Sequence, residues 1–183
     1  PASLADNLHE KLVFTSTDLV FDGTKKDYTE LEKPEKNSER VYAHHKRKAE
    51  EKVLSAGGTI IRLGLVINGP INYVRNNIGN KIFSWTNKTN KPTSVHDLAK
   101  LIEKITSNNY DQKIFHCAIG EELNRYDLNV KIAEHYGLDS RNIIPIEDTD
   151  QLRVNHASLD CTLTQETTGL QFTKTLKECL ERL

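Results

Sequence analysis

Two apolar runs constrain the fold more than any other feature of this chain. "KLVFTS" (11–16) is short, β-branched and aromatic, and "TIIRLGLVI" (59–67) is apolar at nearly every position. A strand with one wet face alternates apolar and polar residues. A run without alternation fits a strand covered on both faces, as in a parallel sheet. Between the two runs lies a charged segment, 39–55, predicted as a helix with Ser38 as its N-cap and Gly57-Gly58 as its stop. On its outer face Lys46 with Glu50 and Arg47 with Glu51 are expected to pair at i,i+4. The strand–helix–strand order predicts parallel pairing and an α/β class.

Downstream, "SVHDLAKLIEKI" predicts a helix with a capping-box-like start at Ser94 and Asp97. Its apolar face is Leu98, Leu101, Ile102 and Ile105. "KIFHCAI" reads as a strand, "NRYDLNVKIAEHYG" as a helix closed by Gly137, "NIIPI" as a short strand and "TLKECLERL" as a final helix. "KIFSWTNKTNK", which carries Trp85, reads as a polar loop or an edge strand. Asn68-Gly69-Pro70 reads as a turn, with Pro70 at the boundary between a sheet-forming first part and a mixed second part. "KKDYTELEKPEK" (25–36) is expected to be a solvated, charge-rich loop.

Bulk properties exclude several classes of partner. The formal net charge of 183 residues is −1, so no broad field steers the chain to nucleic acid. No run approaches ~18 consecutive apolar residues, so no membrane span is expected, and the opening "PASLADNLHE" lacks the layout of a secretory signal. Cys117, Cys161 and Cys179 are an odd, scattered set with no CxxC. They fit small apolar side chains in a reducing, cytoplasmic compartment and predict neither a disulfide nor a metal site. His44 and His45 are adjacent, so on a helix they point to different sides and are expected on the solvated surface. His96 and Asp97 read as helix-cap residues, and His116 as core packing. Methionine is absent throughout, and the chain is expected to be a piece of a longer protein.

Tyr42 and Lys46 stand one helical turn apart on one face. A phenol of ordinary pKa, ~10, is a poor proton donor at neutral pH. A neighbouring ammonium favours its ionised form and brings it toward the working range. Ser16 and Thr17 follow the first strand, where parallel sheets bind ligands. Thr17, Tyr42 and Lys46 are therefore predicted to converge on one substrate oxygen, an arrangement suited to hydride transfer at a carbonyl or alcohol carbon. Spacing alone favours an amphipathic tyrosine beside a solvated lysine. Asp18 is placed either to cap the following loop or to touch ligand.

The ordered set "FTSTDLVFDG", "YAHHKRKAEEKV", "TIIRLGLVINGP", "KPTSVHDLAKLI" and "LRVNHASLDCTLTQETTGL" resembles the extended short-chain dehydrogenase/reductase superfamily, in its dTDP-4-dehydrorhamnose reductase-like branch, over nearly the whole chain from Leu12. The resemblance implies a partial Rossmann-type doubly wound parallel sheet with a smaller C-terminal α/β substrate-binding region. Residues 1–69 would form the C-terminal part of the dinucleotide-binding domain. Residues 70–183 would form the mixed substrate region, with 113–137 returning to the first sheet. It implies Thr17, Tyr42 and Lys46 as catalytic residues, and Ser16, Tyr42, Lys46, Gly64 and Leu65 beside an NADP or NAD cofactor. The implied activity is reduction of a nucleotide-linked 4-keto sugar, with a second copy or a partner enzyme as macromolecular partner. The alternatives are a sugar-nucleotide epimerase, or a regulatory subunit like the β subunit of methionine adenosyltransferase. The chain departs from the branch at Leu19, where tyrosine is usual, at "LGLV", where S-W-V-Y is usual, and at "RV" near Arg153. It holds no GxxGxxG or GxGxxG turn for a cofactor pyrophosphate, so these 183 residues alone are expected to bind such a cofactor poorly.

Overall fold

The computed structural model describes residues 12–34, 40–77, 79–150 and 154–183. Its organising unit is a three-stranded parallel sheet in the order β1–β2–β5. Strand β1 (Val13–Thr17) and strand β2 (Thr59–Leu63) are joined through helix α1 (Val41–Ser55). Their register runs from Val13 opposite Thr59 to Thr17 opposite Leu63. Strand β5 (Ile114–Cys117) lies on the other side of β2, with Ile60 opposite Ile114 and Leu63 opposite Cys117. All five residues of β2 are buried, which is why the sequence there shows no alternation.

The two faces of β2 do different work. Ile61 and Leu63 point into one of the two large apolar clusters, with Phe115, Cys117 and the Leu101 and Ile105 side chains of helix α3 (Val95–Ser107). Ile60 packs under α1 against Val53. Arg62 shares that face and is 1% exposed; its guanidinium makes two bonds to the Glu50 carboxylate of α1, at 3.1 and 2.9 Å, and lies over the Phe21 ring. The predicted Lys46–Glu50 pair is thus replaced. Glu50 is buried, and a buried guanidinium needs a carboxylate more than a half-exposed lysine does. The Arg47–Glu51 pair is present at 2.9 Å.

A second unit follows β2. Helix α2 (Asn68–Asn77) begins on the Asn-Gly-Pro that was read as a turn. Proline is tolerated in a helix's first turn, where its missing N–H has no partner to lose. Strand β3 (Ile82–Trp85) pairs in parallel with β7 (Ile143–Ile146), and helix α4 (Arg125–His135) packs on α2 and β3 through Leu128 and Ile132. Three two-residue strands make a third small sheet: β4 (Thr89–Asn90) lies between β6 (Leu123–Asn124), antiparallel, and β8 (His156–Ala157), parallel. Helices α5 (Thr162–Thr168) and α6 (Leu176–Leu180) close the chain.

The helix expected from Glu39 begins at Val41, and Arg40 is its N-cap without a side-chain capping bond to the helix's own N–H groups; Ser38 lies outside the described residues. Strand β2 stops at Leu63, earlier than the apolar run suggested. A β-carbon on Gly64 would sit 1.9 Å from the Lys91 carbonyl oxygen, so the chain turns there against another segment's backbone. The start of α3 is as predicted, with Ser94 Oγ accepting from Asp97 N–H. The 25–36 segment is not simply solvated. Tyr28 is buried and stacked on Phe21, and buried Glu30 accepts from Thr164 N–H and Oγ1 of α5. Their partners lie over 130 residues away or on a neighbouring aromatic, which local composition does not reveal. No helix among the described residues is long and apolar enough to cross a membrane.

Replacing Glu50 by alanine strands the Arg62 charge inside the fold. Urea unfolding should show a loss of about 3–5 kcal/mol. Replacing both partners by methionine should recover most of it.

Candidate active site

A cavity of about 670 Å³ opens at the C-terminal end of the parallel sheet. One wall comes from that sheet: Thr17, Asp18 and Leu19 after β1, Gly64, Leu65 and Val66 after β2, and Arg40 with Tyr42 at the start of α1. The other comes from the second unit: Trp85 at the end of β3, Lys88, Thr89 and Asn90 around β4, Arg125 opening α4, and Asp148, Asp150, Val154 and Ala157 beyond β7. Parallel strands end together, so loops from β1 and β2 necessarily meet on one edge.

The predicted residues divide between this cavity and its surroundings. Thr17 and Tyr42 share the cavity, and Tyr42 is 55% exposed. The Tyr42 hydroxyl makes no hydrogen bond to a described residue. Lys46 faces an adjoining groove of about 860 Å³, which Tyr42 also lines together with Phe14 and His45. The Lys46 ammonium donates to the Thr15 carbonyl at 2.8 Å and lies 4.7 Å from the Phe14 ring centroid. Burial pulls its pKa below the usual lysine value. Tyr42 therefore stands on the ridge between two cavities, with the threonine on one side and the lysine on the other. Gly64 and Leu65 line the main cavity. Ser16 is buried, its hydroxyl has no partner among the described residues, and it lines neither cavity.

Thr17 is held by its neighbours. Its hydroxyl donates to Asp18 Oδ1 at 2.9 Å and accepts from Leu19 N–H at 3.2 Å. Asp18 is buried, its Oδ2 has no partner among the described residues, and burial raises its pKa to about 7. His116 is also fully buried, between Arg62 and the Asp160 carbonyl, and burial takes its pKa down to about 3. His44 and His45 lie edge to face on α1. No group of three or more metal-ligating side chains is gathered among the described residues. The three cysteines are buried and unpaired, and burial pushes the Cys161 thiol up to about 12.

The second wall was not found by sequence reasoning; the segment that carries Trp85 was read only as a polar loop or an edge strand. Its residues come from β3, β4, α4 and the segment after β7, and two-residue strands leave no periodic trace. One signal was present: an arginine at the first position of a helix, where the macrodipole disfavours a cation.

The RmlD substrate binding domain family model matches residues 2–183. The chain belongs to that family. As an RmlD-family chain it is similar to dTDP-4-dehydrorhamnose reductase from Bacillus anthracis in complex with NADP. The TM-score is 0.76 at 19% identity, over 93% of this chain and 63% of that one. The Clostridium acetobutylicum dTDP-4-dehydrorhamnose reductase gives a TM-score of 0.74 at 26% identity, with 93% and 63% covered. Among curated proteins, methionine adenosyltransferase 2 subunit beta of Rattus norvegicus is 28% identical over 170 residues, which is 82% of this chain and 50% of that protein. The RmlD-family chain thus spans about half the length of the curated relatives it matches. The mixed α/β architecture with parallel sheets is that of the Rossmann-like sugar-nucleotide reductases.

Asp18 and His116 titrate with opposite consequences. Asp18 keeps its proton in the fold up to pH about 7 but releases it near 3.8 when unfolded, so it contributes stability at low pH that is lost as pH rises. His116 stays neutral in the fold down to pH about 3 but protonates near 6.5 when unfolded, so its contribution is lost as pH falls. Between pH 4 and 6.5 each acts with a slope approaching about 1.4 kcal/mol per pH unit, of opposite sign. The stability of Asp18→Asn minus that of the parent should rise with pH in this window. The same difference for His116→Gln should fall. Urea melts at pH 4, 5 and 6 measure both.

Proposed function

We propose that this chain carries the proton-transfer and substrate-binding part of an NAD(P)H-dependent reductase acting on a nucleotide-linked 4-keto sugar. The observation that carries the reading is Tyr42, an exposed phenol on the wall of a ligand-sized cleft, with Thr17 in the same cleft and Lys46 in the adjoining groove. Residues 1–69 and β5 are assigned to the cofactor side, and most of 70–183 to the substrate side. The NADP named with the Bacillus anthracis reductase supports the cofactor class.

The residues present fit the nicotinamide end of such a cofactor. The groove beside Lys46 is roomy, and Ser16, whose hydroxyl has no partner among the described residues, stands on β1 two positions after Phe14, which lines the groove. They do not supply the glycine-rich turn that a pyrophosphate needs. When bound, the nicotinamide supplies a hydride to the carbonyl carbon. Tyr42 gives its phenolic proton to the carbonyl oxygen, so that the ketone becomes an alcohol and Tyr42 a phenolate. Lys46, turning from the Thr15 carbonyl toward Tyr42, stabilises that phenolate. Thr17, whose proton is committed to Asp18, offers the substrate an acceptor and fixes its position.

A second reading is a non-catalytic subunit of the same fold. The curated relatives named methionine adenosyltransferase 2 subunit beta favour it, as does a lysine bonded to backbone away from the tyrosine. Tyr42→Phe separates the two. In the full gene product it should cut NADPH oxidation with dTDP-4-keto sugar by about 100-fold or more while circular dichroism stays unchanged. Full turnover in the variant removes the mechanism. A parent protein with no turnover that co-elutes with a methionine adenosyltransferase catalytic subunit supports the second reading.

A further inference from the structure

Three cations line the main cavity, and their partners differ. Lys88 donates to the Asn155 side chain at 2.9 Å and to the Asp150 carbonyl. Arg40 donates to the Phe21 carbonyl at 2.6 Å. Arg125 makes no hydrogen bond and no ion pair with any described residue, although it is half-buried and Asp148 and Asp150 line the same cavity. Asp127, two residues along the helix, is instead bonded to Asn124. A guanidinium never loses its charge in a protein, and it offers five donors in a planar fork.

Two features ask for an anion in front of Arg125, and a third places the residue in the cleft. The fork is partly desolvated, and burial draws its pKa below the usual arginine value. Its place at the first position of an 11-residue helix puts a cation at the positive end of the macrodipole, an unfavourable arrangement unless negative charge lies nearby. The β4–β6 ladder sets Thr89 opposite Asn124, one residue before Arg125, so the fork is held on the wall that faces Thr17 and Tyr42 across the cleft. A substrate whose sugar reaches Tyr42 must leave its other end on that wall.

We propose that Arg125 anchors the diphosphate of the nucleotide-linked substrate; this rests on the reductase reading for the identity of the ligand. The fork matches two phosphate oxygens, and the anchor sets how far the sugar carbonyl extends toward Tyr42. Arg125 is a binding and positioning residue and exchanges no proton.

Isothermal titration of the full chain with thymidine diphosphate, uridine diphosphate, inorganic pyrophosphate and thymidine tests it. Arg125→Gln should weaken both nucleoside diphosphates and pyrophosphate by about tenfold or more. It should leave thymidine unchanged and reduce the salt dependence of binding. Arg125→Lys, which keeps charge without the fork, should fall between. Diphosphate affinity equal in Arg125→Gln and the parent overturns the proposal, as does a parent that binds thymidine as tightly as thymidine diphosphate. If Arg125→Gln melts early, Arg125→Lys decides: normal melting with weakened diphosphate binding supports the anchor, and normal melting with full affinity removes it. Arg125-dependent diphosphate binding by a protein that performs no hydride transfer leaves the anchor standing and ends the reductase reading. An active reductase whose KM is unchanged in Arg125→Gln does the reverse.

Discussion

The buried ion pair between Arg62 and Glu50 sets where the chemistry of this molecule stands. Two charges removed from water must satisfy each other closely, so helix α1 is fixed against β2 in one register and one rotation. Tyr42, Lys46 and Glu50 succeed one another at four-residue steps on a single stripe of that helix. The stripe climbs out of the core as it runs toward the helix start: Glu50 is buried, Lys46 half-buried and Tyr42 exposed. About 12 Å of helix rise carries the phenol from the interior ion pair to the cleft. A slip of α1 by one residue would turn that stripe by about 100° and take the phenol from the ridge between the two cavities.

The cleft joins two kinds of chemistry on facing walls. The sheet side holds groups that can exchange or hold protons: Tyr42, Thr17 and a carboxyl at Asp18 that burial keeps protonated to near neutrality. The opposite side carries an aromatic ring at Trp85, the cations Lys88 and Arg125, and the carboxylates Asp148 and Asp150. Such a division suits a long substrate with a reactive end and an anionic end.

Much of this was legible from local pattern. The unbroken apolar run at 59–67 announced a central parallel strand, and the tyrosine–lysine spacing on α1 pointed to Tyr42, which lines the cleft, and to Lys46, which lines the adjoining groove. Most of the failures share one cause. An i,i+4 rule treats a helix as if it were alone, so it paired Lys46 with Glu50; the decisive competitor was Arg62, on a strand 12 residues later. An arginine inside an otherwise apolar strand was itself the signal that a carboxylate must be buried beside it. Tyr28 and Glu30 were taken for solvated loop because their partners are Phe21, Ser158 and Thr164. Helix α2 was hidden by Asn-Gly-Pro, residues that serve a turn and a helix start equally well. The Arg125 wall depends on ladders of two residues each, fixed by distant pairing alone.

Gly64 lets the Lys91 backbone cross directly against the exit of β2, and the Lys91–Thr93 segment is stitched on both sides. Thr93 N–H donates to the Leu65 carbonyl, the Thr93 carbonyl accepts from Ile67 N–H, Thr93 Oγ1 donates to the Cys117 carbonyl, and Ile119 N–H donates to the Pro92 carbonyl. The connection between the two walls is thus riveted to the ends of both β2 and β5 rather than left as a hinge. Opening the walls at this crossing would break those bonds, so the first adjustments to a ligand are expected from rotations of single side chains, fast and local, before any slow closing of domains.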